Sequence, residues 1–292
     1  MLSIIITSYK EEKTIAKAIQ SVLDNHLYEK YEILVLAPDK ETLNVAQTLA
    51  GKYSKIKVIK DSGKGKPSAL NLAVSHAKGD ILVLTDGDVF IDKNSLRPLL
   101  EPFKDKKVGA VCAHPISINK KDNLFGYWAY VLTNIANERR LIALKNKKRF
   151  FCSGYLFAIR KNLFPKLPEE LLSEDGFISN NVYEKDYKID YSENSNVYIK
   201  YPDNFKDWII QKKRSAGGYN QIKNIIGKDI RSFKSESLGG FALFKYVSNF
   251  HEFFWLTLLF FARLYLWILI YIDINLKKKS HKEIWKRVES TK

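Results

Sequence analysis

Short apolar runs alternate with helical segments through the first 90 residues, and this alternation restricts the fold more than any other feature of the chain. Strands are predicted over Ser3–Thr7, Tyr31–Leu36, Ile56–Ile59 and Asp80–Thr85. Helices are predicted between them over Glu12–Asn25, Leu43–Tyr53 and Pro67–Ala77. Strands that alternate with helices form a mostly parallel sheet, which binds ligands at the carboxyl ends of its strands. The sequence therefore predicts an α/β fold.

Beyond residue 90 the pattern is less regular. Further strands are predicted over Val108–Ala113 and Phe151–Ile159, and a long amphipathic helix over Asn123–Lys145. A basic stretch over residues 205–234 precedes an almost unbroken apolar run, Phe253–Ile274. We therefore divide the chain into an α/β domain over residues 1–235 and an apolar helix with a basic tail over residues 236–292.

The chain carries 48 Lys and Arg against 32 Asp and Glu, a formal net charge of +16. Such a surplus favours an anionic partner, which can be nucleic acid, an acidic membrane or a phosphorylated substrate. The sequence has no pattern typical of a nucleic-acid-binding module, so we expect no nucleic-acid partner and favour an anionic membrane surface. Cys112 and Cys152 form no CxxC or zinc-like spacing and are expected to be buried thiols in a reducing cytoplasm.

Two carboxylates one residue apart follow the fourth predicted strand, in Asp86-Gly87-Asp88. Hard oxygen ligands at this position suit a Mg²⁺ or Mn²⁺ ion that also binds a diphosphate. A plain turn is the alternative, because Asp and Gly are common where strands end. The location at the carboxyl end of a strand favours the metal site.

Three further segments combine charge with a position on or near a helix. Gly63–Asn71 is a basic loop that runs into a helix, and it is either an anion site or a solvated loop. Glu174 and Asp175 supply either a general base or a helix cap. Gln211 and Arg214 share one helix face, where they either hold phosphate oxygens or are only solvated.

In this order the motifs resemble those of family 2 of the inverting nucleotide-sugar glycosyltransferases, which have the GT-A fold. The resemblance runs through Ser3–Glu11, Gly65–Asn71, Asp86-Gly87-Asp88, Ser153-Gly154 with Arg160, Glu174-Asp175 and Gln211–Arg214. It covers roughly the first three quarters of the chain, and the ordered set is specific although each piece is not. It implies a GT-A-type fold with a mostly parallel, nucleotide-binding sheet flanked by helices.

The resemblance also implies a role for individual residues. The nucleotide-sugar donor would be bound by Thr7, Tyr9, Glu11, Asp39, Lys66, Asp86, Gln211 and Arg214. Among these, Tyr9 and Glu11 would contact the base and ribose. Asp86 and Asp88 would hold Mg²⁺ or Mn²⁺ on the donor diphosphate, and Asp175 would deprotonate the acceptor hydroxyl as the catalytic base.

Two positions depart from the family pattern. The segment after the second strand has one acid, Asp39, at the place where the family often has two acids and a glycine. The family's Gln-x-x-Arg-Trp motif ends here in Ser215. Because that Trp usually helps to hold a growing chain in processive synthases, its absence favours transfer of a single sugar.

The expected activity is therefore inverting, metal-dependent transfer of a sugar to a hydroxyl of a glycolipid, lipid-linked glycan or surface polysaccharide. The alternative is a polyprenyl-phosphate glycosyltransferase of the dolichol-phosphate mannose synthase type. Such enzymes resemble the first half of this chain and generally do not need the Gln-x-x-Arg segment. A catalytically inactive scaffold is disfavoured because the acids at positions 86, 88 and 175 are intact.

The apolar run Phe253–Ile274 is long enough to cross a bilayer, which takes about 20 residues. Both of its flanks are basic, so a single span would place one of them outside, against the positive-inside preference. A helix that lies in the cytoplasmic interface, or a shallow re-entrant helix, keeps both flanks on the anionic side. We favour this arrangement over a span, and a span over a buried core helix. The expected location is the cell membrane, with the catalytic domain on its cytoplasmic side.

Overall fold

An eight-stranded sheet forms the centre of the protein. The computed structural model describes residues 1–227, 240–273 and 287–291. The strands are β1 (Leu2–Thr7), β2 (Tyr31–Ala37), β3 (Ile56–Lys60), β4 (Ile81–Asp86), β5 (Phe90–Ile91), β6 (Val108–Ser117), β7 (Leu156–Arg160) and β8 (Lys188–Ile199). The helices are α1 (Ile15–Leu23), α2 (Lys40–Ala50), α3 (Lys66–His76), α4 (Leu96–Leu100), α5 (Leu124–Lys145), α6 (Glu174–Glu184), α7 (Phe205–Ile226) and α8 (Phe250–Tyr271).

The strands are ordered β3-β2-β1-β4-β7-β6-β8-β5 across the sheet. The first four in this order pair in parallel, as the strand-helix alternation predicts. β7 is antiparallel to both β4 and β6, and β6 runs parallel to β8. The carboxyl ends of β1, β2, β3 and β4 therefore share one edge of the sheet. The amino end of β7 joins this edge because Thr85 pairs with Leu156.

Helices cover both faces of the sheet because the central strands are apolar on both faces. All of β1 is buried. Ile4 and Ile6 belong to a cluster that includes Ile19 of α1, whereas Ile5 belongs to a second cluster that includes Leu70 of α3 and Ile178 of α6. Successive side chains of a strand point to opposite faces, so a strand that is covered on both faces reads as a continuous apolar run.

The structure confirms the four predicted N-terminal strands and shifts the starts of two helices by three residues. α1 begins at Ile15, three residues later than predicted, because the loop before it contains Lys10 with a φ of 53°. α2 begins at Lys40, three residues earlier than predicted. Its start is set by Asp39, whose side chain accepts a hydrogen bond from the Thr42 backbone N–H as a helix cap.

The second half of the sheet differs more from the sequence prediction. The strand predicted over Phe151–Ile159 is limited to β7, because the preceding Cys152 N–H donates to the Ser179 hydroxyl of α6 at 2.9 Å. β8 was not predicted. Glu193 and Ser195 interrupt the apolar alternation that identifies a strand, because they lie between Tyr191 and Val197 at positions where it requires apolar residues.

Helix α8 packs on the domain by one face only. Its buried face joins α5 and α7 in a third hydrophobic cluster through Leu256, Leu259, Ala262, Leu266 and Ile270. The Trp128 indole N–H donates to the Trp255 carbonyl oxygen at 2.8 Å. The other face exposes Phe250, Phe253, Phe254, Phe260, Phe261, Leu264, Tyr265, Ile268 and Tyr271. By length and composition α8 is apolar enough to cross a membrane.

The predicted domain boundary at residue 235 and the end of the predicted apolar run at Ile274 lie outside the described residues.

Candidate functional site

Polar side chains meet at the edge of the sheet where β1 and β4 end. The strand register pairs Thr7 with Asp86. The Thr7 hydroxyl donates a 3.0 Å hydrogen bond to the Asp86 carboxylate, whose side chain is 25% exposed. Strand pairing therefore brings these two predicted donor-site residues together and leaves the carboxylate open to a ligand.

Lys66 connects this carboxylate to a second acidic segment. Lys66 is the first residue of α3, and Gly65 before it has a φ of 102°, in the region that favours glycine. The Lys66 ammonium lies 2.7 Å from a carboxylate oxygen of Asp86 and 2.7 Å from one of Glu174. Burial acts to lower the pKa of Lys66, but the two carboxylates raise it above its usual value. A charged ammonium thus holds the end of β4 against the start of α6.

Gly87 allows the loop after β1 to lie directly on the turn after β4. A Cβ atom at residue 87 would lie 1.8 Å from the Ser8 Oγ and 2.4 Å from the Glu11 Oε2. The Ser8 hydroxyl donates to the Glu11 carboxylate at 2.7 Å, and Glu11 is buried. The predicted nucleotide contact Glu11 therefore lies beneath the acidic turn, with one oxygen bonded within its own loop.

Asp39 shapes the same loop from the end of β2. Its Oδ1 accepts from the Thr42 N–H at 3.0 Å, and its Oδ2 accepts from the Lys10 N–H at 2.8 Å. Burial acts to raise the pKa of Asp39, but these hydrogen bonds lower it below its usual value. The neighbouring Tyr9 ring is 42% exposed. Asp39 thus holds the loop in the conformation that presents Tyr9 to solvent.

Asp175 is held in place at the start of α6. Its Oδ1 accepts from the Ser173 hydroxyl at 2.6 Å and from the Gly176 N–H at 2.8 Å. Its Oδ2 accepts from the Gly154 N–H at 3.0 Å. Ser173, and not Asp175, occupies the N-cap position of the helix. Asp175 lies next in sequence to Glu174, the residue that binds Lys66, so the acidic pair adjoins the end of β4.

Tyr155 lies within electrostatic reach of Asp86, Asp88 and Arg214. Burial raises the pKa of Tyr155 well above its usual value, so its phenol is a neutral hydrogen-bond donor. Arg214 of α7 and the acidic turn therefore both lie near Tyr155. The buried Oε1 of Gln211, one helical turn earlier, has no hydrogen-bond donor among the described residues.

Three residues of this region were not identified from the sequence. They are Asp61, Tyr155 and Arg287. Asp61 follows β3 as Asp39 follows β2, and burial together with the Asp39 charge raises the pKa of Asp61. Its position after a predicted strand was a usable signal. Arg287 donates to the Lys10 carbonyl oxygen at 2.6 Å, and its guanidinium lies 5.9 Å from the centre of the Tyr9 ring. No local pattern predicts a contact across such a distance along the chain.

The chemistry of these groups suits a charged ligand with a bound cation. Asp86 and Asp88 offer hard oxygen ligands at a strand end. In the part of the chain that the structure describes, no group of three or more His, Cys, Asp or Glu side chains is arranged to hold a metal ion. A metal ion here would therefore take its remaining ligands from a substrate or from water, as an ion does when it bridges a protein to a diphosphate.

A mostly parallel sheet with an acidic turn at the end of β4 and a fixed acidic pair beside it agrees with the predicted GT-A-type fold. The model of the family described as "Glycosyl transferase family 2" matches residues 3–167, more than half of the chain. The chain belongs to this family.

Curated relatives carry related names. The chain is 27% identical over 242 residues to "Probable glycosyltransferase YdaM" of Bacillus subtilis (strain 168), an alignment that covers 76% of this chain and 56% of that protein. It is 30% identical over 131 residues to "Beta-monoglucosyldiacylglycerol synthase" of Trichormus variabilis, which covers 42% of this chain and 28% of that protein. The chain thus spans about half or less of the length of these relatives.

The fold also matches a solved structure. The chain aligns with the mannosyltransferase PcManGT from Pyrobaculum calidifontis, solved in complex with GDP-Man and Mn²⁺, with a TM-score of 0.65. The alignment covers 96% of this chain and 88% of that one at 18% sequence identity. This likeness confirms the predicted fold.

Replacing Lys66 by Met should destabilise the protein, because Asp86 and Glu174 would lose the ammonium between them. Removing one partner of a buried ion pair costs about 3–5 kcal/mol, and partial exposure reduces the expectation here to roughly 1–3 kcal/mol. Denaturant unfolding of wild type and Lys66→Met measures this loss. Mn²⁺ should stabilise the variant more than the wild type, because the metal ion can take the place of the ammonium.

Lys64→Met is the matched control for this prediction. Lys64 lies in the same loop and pairs with Glu169 at 3.6 Å, but both side chains are more than 60% exposed. Exposed pairs contribute little, so the stability of this variant should equal that of wild type. If Lys64→Met and Lys66→Met lost equal amounts of unfolding free energy, the role assigned to Lys66 would be contradicted.

Proposed function

We propose that this protein is an inverting, metal-dependent glycosyltransferase that moves one sugar from a nucleoside-diphosphate sugar to a hydroxyl of a membrane-associated acceptor. The acceptor class is a glycolipid, a lipid-linked glycan or a surface polysaccharide. The observation that carries the proposal is the Lys66 bridge between Asp86 and Glu174. It holds the end of β4, the proposed donor site, against the start of α6, which carries the proposed general base Asp175.

Asp86 and Asp88 would hold Mg²⁺ or Mn²⁺. Asp86 already binds a cation, the Lys66 ammonium, so the local field favours positive charge. A bound ion would neutralise charge on the diphosphate as it leaves. The use of Mn²⁺ is supported by PcManGT, which has a similar fold and was solved with GDP-Man and Mn²⁺.

The donor nucleotide would lie along the loop after β1. Tyr9 offers an exposed ring to the base, and a cavity of about 480 Å³ opens beside it between Asp39 and Arg287. Arg214 would contact the diphosphate, because a guanidinium matches the geometry of phosphate oxygens. The Gln211 Oε1 has no donor among the described residues, so a ligand hydroxyl would satisfy it.

Asp175 would act as the general base. Three hydrogen bonds fix its carboxylate, and oxygen lone pairs remain for the acceptor hydroxyl. As the hydroxyl oxygen forms a bond to the anomeric carbon, its proton passes to Asp175. The bond to the diphosphate breaks on the opposite face, and its electron pair leaves with the nucleoside diphosphate. A single displacement of this kind inverts the anomeric configuration.

Lys66 and Arg214 would offset the negative charge that develops on the leaving diphosphate. Cations fixed in advance where charge develops stabilise a transition state more than mobile water does. Lys66 can serve this step because its pKa is raised and it stays charged. The ammonium is therefore part of both the folded site and the proposed reaction.

A polyprenyl-phosphate glycosyltransferase is the second candidate. Its acceptor is a phosphate oxygen, which is already ionised and needs no general base. The hydrogen bonds that fix Asp175 favour a hydroxyl acceptor instead.

The exposed face of α8 would rest on a membrane. An apolar surface of this size marks an interaction site, and the net charge of +16 favours anionic lipid. The burial of the opposite face against α5 and α7 favours a helix that lies in the interface over one that spans the bilayer. We place this surface at the cytoplasmic face of the cell membrane. The relative named as a diacylglycerol glycolipid synthase supports an acceptor in the bilayer.

A donor screen tests the function. Purified protein is incubated with nucleoside-diphosphate sugars and Mn²⁺ or Mg²⁺, and released nucleoside diphosphate is measured. EDTA should abolish release, and Asp88→Ala should lower turnover by about 10³-fold, because a metal contributes several kcal/mol to the transition state. Asp80→Asn, at the opposite end of β4, should be fully active. Full activity in EDTA would refute the metal site, and no release from any donor would refute the function.

Asp175→Asn should lower kcat by about 10²–10⁴-fold, the usual contribution of general base catalysis, with an unchanged KM for the donor. The amide keeps the size of the side chain and removes the proton acceptor. Steady-state kinetics with the best donor measure both constants. Glu184→Gln, at the far end of α6, is the control and should behave as wild type. If the donor KM rises and kcat does not fall, Asp175 is a binding residue and not the base.

The double variant Phe260→Ser, Phe261→Ser should bind vesicles of phosphatidylglycerol at least tenfold more weakly than wild type. Burying one Phe side chain contributes about 1.5–3 kcal/mol, and 1.4 kcal/mol is a factor of ten. Co-sedimentation measures binding, and thermal unfolding should be unchanged.

Leu259→Ala is the matched control for the membrane prediction. Leu259 is 1% exposed, so this variant should lose about 2–5 kcal/mol of stability. Its folded form should bind the same vesicles as wild type does. Wild-type vesicle binding by the double Phe variant would show that α8 is not the attachment site.

A further inference from the structure

Arg140 on α5 is a partly buried cation that the proposed reaction does not use. Its guanidinium lies 5.8 Å from the centre of the Tyr191 ring. The Tyr191 hydroxyl itself donates to the Asn137 side-chain oxygen at 2.6 Å. The other electrostatic neighbours of Arg140 are the thiols of Cys112 and Cys152 and the phenol of Tyr219. Among the described residues no carboxylate forms an ion pair with it.

Arg160 and Arg287, by contrast, have oxygen partners for their guanidinium groups. Arg160 donates to the carbonyl oxygens of Val108 and Phe103, each at 2.8 Å. Arg287 pairs with Glu289 at 3.0 Å. A guanidinium has five N–H donors, and removing such a charge from water without an anion is unfavourable. Arg140 has no carboxylate ion pair among the described residues, so an anion from outside the protein would compensate its charge.

The field of this cation reaches the protein interior. Burial acts to raise the pKa of Cys112, whereas hydrogen bonding with Cys152 and the charge of Arg140 lower it. Burial lowers the pKa of His114, and the charge of Arg140 adds to this effect. Both effects are those of a nearby positive charge, and the carboxylates of Asp175 at Cys112 and of Glu193 at His114 act against them.

Arg140 adjoins the proposed base through α7. Gly218 packs so closely on the segment before α6 that a Cβ atom there would lie 2.7 Å from the Cβ of Ser173. Ser173 in turn holds Asp175. Tyr219, the next residue of α7, is one of the neighbours of Arg140.

A second path leads from Arg140 to the same base through the sheet. The neighbouring Cys112 Sγ accepts from the Ser153 N–H at 3.1 Å. The following Gly154 N–H donates to Asp175 at 3.0 Å. The cation and the base thus both lie near the same short segment before β7.

We propose that Arg140 binds a phosphate group of the acceptor, next to the hydroxyl that Asp175 deprotonates. This inference rests on the proposed transferase function and names its acceptor class. A guanidinium binds two phosphate oxygens at once. The phosphate belongs either to the diphosphate of a lipid-linked sugar or to the phosphodiester of a glycan polymer.

Arg140→Gln and Arg139→Gln form a matched pair for the test, because Arg139 is the adjacent residue and is exposed. The acceptors are polyprenyl-diphosphate-linked N-acetylglucosamine, poly(glycerol phosphate) and octyl N-acetylglucosaminide, which has no phosphate. Wild type should use one phosphate-bearing acceptor with a KM at least tenfold below that of the octyl glycoside. Arg140→Gln should remove this preference and leave the KM for the octyl glycoside, the donor KM and the slow hydrolysis of the donor unchanged. Arg139→Gln should behave as wild type.

The outcomes separate this inference from the proposed function. If wild type hydrolyses and transfers from no donor, the transferase function itself fails. If it transfers equally well to the octyl glycoside, or if folded Arg140→Gln keeps the preference for phosphate, the transferase stands and the phosphate site is refuted. Should Arg140→Gln not fold, Arg140→Lys keeps the charge without the forked geometry and should show an intermediate KM; a wild-type KM would refute the site. The phosphate-bearing acceptor with the lower KM identifies the source of the phosphate.

Discussion

The parallel pairing of β1 with β4 is the constraint on which the rest of the site depends. β1 is buried on both faces and pairs with β2 on one side and β4 on the other. This register sets Thr7 opposite Asp86, and it lays the loop after β1 on Gly87, where there is no space for a side chain. A shift of one residue would turn every side chain of β1 to the other face of the sheet. The packing of the core thus determines where the loop after β1 lies relative to the acidic turn.

Charge compensation is the second constraint, and it depends on the first. The strand register and the start of α6 bring Asp86 and Glu174 to one place, where two carboxylates would repel each other. Lys66 offsets this repulsion, and its raised pKa is the reciprocal effect of the same interaction. A site that holds an ammonium between carboxylates is also suited to a divalent cation and a diphosphate. The folded state without ligands and the proposed donor complex therefore rely on the same balance of charge.

Local sequence patterns predicted the elements whose structure is determined by residues close together in the sequence. The N-terminal strands are continuous apolar runs, and the position of Asp86 at a carboxyl end follows from them. Contacts between distant segments were not predictable in this way. Lys66 and Glu174 meet because the sheet brings α3 and α6 together, and neither residue has a local signal for that contact. Strand β8 was missed because its polar residues break the alternation, although pairing with β6 stabilises it.

Helix α8 depends on the same kind of distant contact. Its hydropathy allows a span, but its two ends are tied to one side of the folded domain. At its start Glu252 pairs with Lys121, next to α5, at 2.8 Å; just past its end Asp273 pairs with Lys213 of α7. The ends of a spanning helix lie about 30 Å apart on opposite sides of the hydrocarbon core. A span would therefore break one of these pairs and uncover the aromatic side chains of Trp128 and its neighbours on α5 and α7. A helix lying in the interface keeps both pairs and presents only its exposed face to lipid.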